Sequence, residues 1–276
     1  MRFVLPTLFL LTVPLFGQQP AVNTDQLDQE LNREAGLEMV FRNPLPPLAK
    51  LTFKEVETTE AKGRKLVRYS IGASGLAKPG PYILMLWDIE TNAPVIAFQG
   101  LKVDTNGTLR CVEKSKDCPG GGPNNQLVLG FTGMAGQPRR IVLAGTDKKP
   151  IAMGEVVPFP ASGSDQDCTI EAILMRPNGS AVYVIGRGFQ PGETVKFESS
   201  SYGESSNDDK TANGIGVVTT MLLPFIKGHD EGKSTITMTG SKCHPTTTIN
   251  WGAYHEEPAD PAQPAQNPEP PASPPN

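Results

Sequence analysis

Histidine is scarce in this chain, with only His229, His244 and His255 among 276 residues. Hydrolysis of the Ser-His-Asp type needs a base held by an acid beside an activated serine, and no Gly-x-Ser-x-Gly turn is present to expose one. His229 beside Asp230 is the one local pair that could supply a base. It sits in a polar turn, Lys227-Gly228-His229-Asp230-Glu231-Gly232, where adjacent side chains face solvent. We therefore expect no enzyme activity. The alternative is an extracellular hydrolase, or an accessory module of one, with His229, Asp230 and Asn207-Asp208-Asp209 at one end of its second domain.

Clustered positive charge is also missing. The formal net charge is −4 and no Lys or Arg follows Lys242, so a nucleic-acid partner, which requires a basic stripe, is excluded. No apolar run reaches the roughly 20 residues that span a bilayer. The nearest, at 3–16, is interrupted by Pro6 and Pro14 and lies between Arg2 and Gly17, the layout of a cleaved secretory signal at 1–17. Secretion, or export to a periplasm, is the expected localisation, and the mature chain has no membrane span.

Cysteine is limited to Cys111, Cys118, Cys168 and Cys243. An even number in an exported chain reads as disulfides. Of the three pairings that four cysteines allow, Cys111 with Cys118 and Cys168 with Cys243 is preferred. Cys-x6-Cys without a neighbouring Cys or His pair is poor spacing for a metal. The acidic stretches Asn207-Asp208-Asp209 and Asp230-Glu231 lack the Asp-x-Asp-x-Asn-Gly order of a self-contained calcium loop. Neither Gly186-x-Gly188 nor Gly120-Gly121-Gly122 continues as a phosphate cradle. No metal and no cofactor is expected.

Turn residues are abundant, with 28 glycines and 27 prolines. They separate short apolar runs, and in Val67, Tyr69 and Ile71 against Arg68 and Ser70 the alternation of one buried and one wet face is clear. Strands are expected at 51–56, 65–71, 82–88, 95–101, 108–112, 126–131, 139–144 and 151–157, then at 168–175, 181–186, 194–199, 215–223, 234–239 and 246–251. The chain divides into the signal, a leader at 18–48 with a short helix at 23–34, a first β domain at 49–160, a Pro/Ser/Gly linker and a second β domain at 165–253. A tail at 254–276, carrying eight prolines in its last 21 residues, lacks apolar side chains and is expected to be disordered.

The two β domains share an order of features, as a duplication would. Ser74-Gly75-Leu76-Ala77-Lys78-Pro79-Gly80 answers to Arg187-Gly188-Phe189-Gln190-Pro191-Gly192, Thr105-Asn106-Gly107 to Ala212-Asn213-Gly214, and residues 141–146 to 236–241. The stretch from Arg187 to Val195, with Asn213-Gly214 and Thr237-x-Thr239-Gly240-Ser241 after it, resembles bacterial secreted immunoglobulin-like repeats of the IPT/TIG kind. The resemblance covers 169–251 and, more loosely, 65–158. It implies an all-β chain of two tandem antiparallel Greek-key sandwiches, used for binding or as a spacer, with no catalytic residues to carry over. The expected partner is an extracellular protein or a cell-envelope polysaccharide. The expected ligand loops hold Tyr202, the aromatic residue placed in a turn, with Asn207, Asp208, Asp209, His229 and Asp230. Trp87 and Trp251 fall in strands and are read as core.

Overall fold

The computed structural model describes residues 40–42, 48–61, 64–76, 80–88, 93–112 and 123–252, with positions 29 and 44. The expected signal, the helix at 23–34 apart from position 29, Cys118 and the tail lie outside the described residues.

The chain is all-β. Strands β1 (Ala49–Ala61), β2 (Arg64–Ser74), β3 (Tyr82–Asp88), β4 (Ala93–Val103), β5 (Leu109–Cys111), β6 (Val128–Phe131), β7 (Arg139–Ala144) and β8 (Pro150–Val156) form one sheet in the order β5-β4-β3-β7-β8-β1-β2-β6. Neighbours are antiparallel except β1 and β8, which run parallel at Ala49 and Lys50. The sheet curls until its ends meet, Gly72 of β2 bridging Thr108 just before β5. The inner positions form one apolar core that includes Leu51, Ile71, Tyr82, Leu84, Leu101, Leu109 and Leu143.

The second unit is two sheets. Strands β9 (Ala161–Asp165), β10 (Cys168–Leu174), β11 (Val182–Arg187) and β14 (Val218–Leu222) are ordered β14-β11-β10-β9. Facing them are β12 (Thr194–Ser201), β13 (Glu204–Thr211), β15 (Glu231–Thr239) and β16 (Thr246–Gly252), ordered β13-β12-β15-β16. The chain crosses between sheets after β11, β13 and β14, as in immunoglobulin-like sandwiches. Ile170, Val184, Val195, Phe197, Ile236, Met238 and Ile249 fill the space between. Cys168 in β10 is bonded to Cys243 in the turn before β16, so a covalent link joins the two sheets, with the Cα atoms 6.1 Å apart. Cys111 is also disulfide-bonded.

The units have corresponding topologies. The hairpin β1-β2 beside β5 matches β10-β11 beside β14, and the run β4-β3-β7-β8 matches β13-β12-β15-β16. A shared turn fixes the register between them. Asp104 Oδ1 accepts from the amides of Asn106 and Thr108, each at 2.9 Å, and Asn213 Oδ1 accepts from those of Ile215 and Val217, each at 3.0 Å. Three residues after each acceptor comes a glycine with positive φ, Gly107 at 79° and Gly216 at 72°. Sequence alone matches Asn106 to Asn213. The structure sets Asp104 against Asn213, because the side-chain acceptor at the start of the turn is what the two share, and Asp and Asn are interchangeable in that role.

Two strands depart from the sequence reading. The stretch read as a linker contains β9, which pairs with β10 from Ala161 to Asp165. The stretch read as a loop around Asn207-Asp208-Asp209 is β13, paired along its whole length with β12. Both are edge strands, held by main-chain bonds on one side. Neither displays the alternating apolar pattern that marks a half-buried strand.

A small ionic junction joins the units. Residues 40–42 are helical, and Phe41 is buried edge-on against Trp87, with ring centroids 5.4 Å apart. Arg42 donates to Glu155 of β8 at 3.1 Å and forks onto both carboxylate oxygens of Glu171 in β10, at 2.9 and 3.1 Å. Arg140 donates to the other oxygen of Glu155 at 3.1 Å. Alongside, Met134 and Ala135 pack on the second core, and the Leu174 amide donates to the Gly136 carbonyl at 2.8 Å.

Burial alone would raise the Glu171 carboxyl, but Arg42 and then Arg187 outweigh it and hold it below the ordinary carboxylate value. A depressed folded value means that its contribution is complete above the unfolded value, about 4.3, and is lost as pH falls through the folded value. The stability gap between wild type and Glu171→Gln should therefore be constant near neutral pH and shrink below about pH 4. Denaturant midpoints across pH 2–7 check this, and a gap that widens in acid would contradict it.

Candidate functional site

Strand β12 reverses into β13 through Tyr202 and Gly203, both left-handed at φ 50° and 80°, with Ser201 opposite Glu204. A two-residue turn of this kind favours Asn-Gly, so a tyrosine in its first position is held there by its surroundings. Its hydroxyl donates to the Glu231 carbonyl at 2.7 Å. Its ring stacks on that of His229, with centroids 3.7 Å apart and planes 16° from parallel, and meets Trp251 edge-on at 6.2 Å. Glycine at 232 is required beneath them. A Cβ there would lie 2.5 Å from the Trp251 ring and 2.7 Å from Tyr202.

Tyr202 is 55 % exposed, whereas Trp251 is 4 % exposed. Beside them lies a cavity of about 540 Å³ lined by Tyr202, Glu231, Lys233, Asn250 and Trp251, with Met134 of the first unit at its margin. The Trp251 indole Nε1–H is buried without an acceptor, an arrangement that costs free energy unless a partner is supplied. The site thus joins an exposed tyrosine, stacked on His229, to donors at Lys233 and Asn250 and an acceptor at Glu231.

Of the residues expected in ligand loops, Tyr202 and His229 meet directly, and Asp230 follows at the exposed edge. Asn207, Asp208 and Asp209 do not join them. They lie five to seven residues along β13, about 17–24 Å from Tyr202 at the rise of a strand. The strand also divides them: Asp208 is opposite Phe197 and shares its face, while Asn207 and Asp209 are opposite Glu198 and Lys196 on the other. Asp208 is hydrogen-bonded to Lys210, which holds its carboxyl below the usual range. Consecutive oxygen-bearing side chains in a loop can converge on one ion, whereas in a strand they alternate between faces and cannot. Among the described residues no cluster of three His, Cys, Asp or Glu is placed to hold a metal.

Trp251, Lys233 and Asn250 escape the sequence reading. Trp251 reads as core because it sits in a strand, and its burial agrees. Its place in the site follows from pairing across β15 and β16, Gly232 with Trp251 and Lys233 with Asn250. The clue in the sequence is glycine at 232, which pairs with Trp251 and leaves room for its ring.

Among the described residues no helix is long and apolar enough to cross a membrane. No family model and no curated protein matches the chain. Among solved structures it is similar to a tetra-tandem repeat in the extending region of a large adhesion protein, with 11% identity and a TM-score of 0.24, over 74% of this chain and 49% of that one. A 1.5-MDa bacterial ice-binding adhesin gives 12% identity and a TM-score of 0.19, over 74% and 64%. Pullulanase from Anoxybacillus sp. LM18-11, complexed with maltotriose, gives 9% and 0.20, over 70% and 24%. The chain spans about half the length of the first and under two-thirds of the second. Likenesses of this strength carry no argument about function.

Proposed function

We propose that this is a non-catalytic secreted or periplasmic binding module, with cell-envelope polysaccharide as its ligand and the Tyr202 end of the second sandwich as its binding site. The observation that carries the proposal is Tyr202 itself, left-handed and exposed, stacked on His229 at the rim of a polar cavity. A flat ring face beside fixed hydrogen-bonding groups suits a sugar, which presents an apolar ring face and a hydroxyl edge. The signal-like 1–17 stretch, the Cys168–Cys243 bond and the resemblance to secreted immunoglobulin-like repeats support extracellular placement. The first unit, docked through Arg42 and the Met134 loop, serves as the mount.

Tyr202→Asn separates the ring from the turn, since Asn-Gly is the favoured pair for this hairpin. Binding of the mature chain, residues 18–276, to a panel of envelope polysaccharides and extracellular proteins would be measured by calorimetry. The expected result is saturable polysaccharide binding, weakened about tenfold or more by Tyr202→Asn, with an unchanged or higher melting temperature. Polysaccharide binding indifferent to Tyr202, or a protein ligand alone, would refute the proposal.

A further inference from the structure

The two units differ at one seam. In the first, β4 and β5 are hydrogen-bonded together, Leu101 opposite Cys111 and Val103 opposite Leu109. Their counterparts β13 and β14 are the outer strands of separate sheets. The opposite seam of the second unit is shut, with β9 so close to β16 that a Cβ on Gly163 would fall 1.8 Å from the Thr246 carbonyl oxygen. The sandwich therefore gapes on one side, into a cleft of about 430 Å³. Small-molecule sites occupy about 300–1,000 Å³.

One wall of the cleft, along β12 and β13, is polar where the first unit is oily, while the segment from Met221 to Ile226 opposite it is apolar. Along β12 the buried positions run Val195, Phe197, Ser199, Ser201, whereas their counterparts along β3, Tyr82, Leu84 and Leu86, pack into the first core. Directly opposed residues of an antiparallel pair share a face. The partners of Val195, Phe197, Ser199 and Ser201 on β13 are Lys210, Asp208, Ser206 and Glu204, and all four line the cleft. Phe98, Leu101 and Val103 of β4 instead pack on core. On the floor, the Ser201 hydroxyl donates to the Lys233 carbonyl at 3.0 Å. The Ser234 hydroxyl, in a residue only 1% exposed, has no partner. At the lip Phe225 is 57% exposed.

We infer that the cleft between β13 and β14 is a second saccharide-binding site, in which Ser234, Ser199, Glu204 and Asp208 engage the hydroxyls of two adjoining sugar residues, Glu204 and Asp208 lying about 13 Å apart along the strand, and Phe225 covers an apolar ring face. Hydroxyls that both donate and accept, set beside carboxylates that only accept, match a ligand dense in hydroxyl groups. An acyl chain would leave the Ser234 hydroxyl without a bond, and the charges on β13 oppose addition of a peptide strand. The site shares the saccharide ligand class with the proposed function and no lining residue with the Tyr202 cavity.

The test is a ¹⁵N–¹H titration of the mature chain with cellohexaose, chitohexaose and xylohexaose at millimolar concentration. Saturable amide shifts are expected from at least one sugar at Ser199, Ser206, Phe225 and Ser234, and they should persist in Tyr202→Asn. Ser234→Ala removes a hydroxyl that bonds nothing in the free protein, so the fold should survive while affinity falls about 3- to 10-fold. Glu204→Gln and Phe225→Ala provide independent variants. Shifts confined to Tyr202 and the Trp251 indole would overturn the cleft and uphold the first site, and shifts confined to the cleft would do the reverse. Cleft shifts indifferent to all three cleft variants, or no shift with any sugar, overturn the inference.

Discussion

Replacing Cys168 and Cys243 by alanine should destabilise the second unit by about 4.5 kcal/mol, the largest single effect we expect. The bond closes a loop with a sequence separation of 75, and the chain-entropy relation assigns about 4.5 kcal/mol to a loop of that length. Stabilities of small domains are commonly about 5–15 kcal/mol, so the loss is a large share of the total. The melting transition of the second unit should fall by more than about 10 °C. The expected signature is two transitions in calorimetry where the oxidised protein is expected to give one, since the first unit has its own core and a separate bonded cysteine, Cys111. A double variant melting within a few degrees of wild type would contradict this account.

Glu155→Ala is expected to cost about 3–5 kcal/mol, the range for removing one partner of a buried ion pair. The Glu155 side chain is 2% exposed and that of Arg140 3%, and Glu155 divides its oxygens between Arg140 and Arg42. Removing the carboxylate takes away the counter-charge shared by two guanidinium groups and half the ionic junction. Arg42→Ala should cost less, because Glu155 keeps Arg140 and Glu171 keeps Arg187. Urea midpoints for the two single variants would test the ordering, and Arg42→Ala proving the more harmful would reverse it.

How much of this was legible beforehand follows from which residues carry the information. The all-β character and most strands could be read because their inner faces are apolar at every second position, as in Val67, Tyr69 and Ile71. Strand β3 spans Tyr82–Asp88 and β7 spans Arg139–Ala144, the limits expected from their runs and turns. Strands β9 and β13 were illegible, because an edge strand bonded through its backbone can carry any polar side chain. At the Tyr202 end, the tyrosine was legible as an aromatic in a turn. Its stacking partner His229 was singled out with it, but Trp251, Lys233 and Asn250 were not, since register across β15 and β16 is a property of the fold. The ionic junction was equally hidden: Arg42, Glu155 and Glu171 are far apart in sequence and sit among many other charges.

The bond between Cys168 and Cys243 also sets a length. Were the chain drawn taut between its ends, as a linker between a surface and a cargo would be, the first unit could unravel strand by strand. The second could release only the residues outside its covalent ring. The 75-residue interval, which would otherwise extend to roughly 250–270 Å, is bypassed by a link spanning 6.1 Å between Cα atoms. Stretching would therefore let out slack from the first unit while the part that carries Tyr202 and the open cleft stayed at fixed extension.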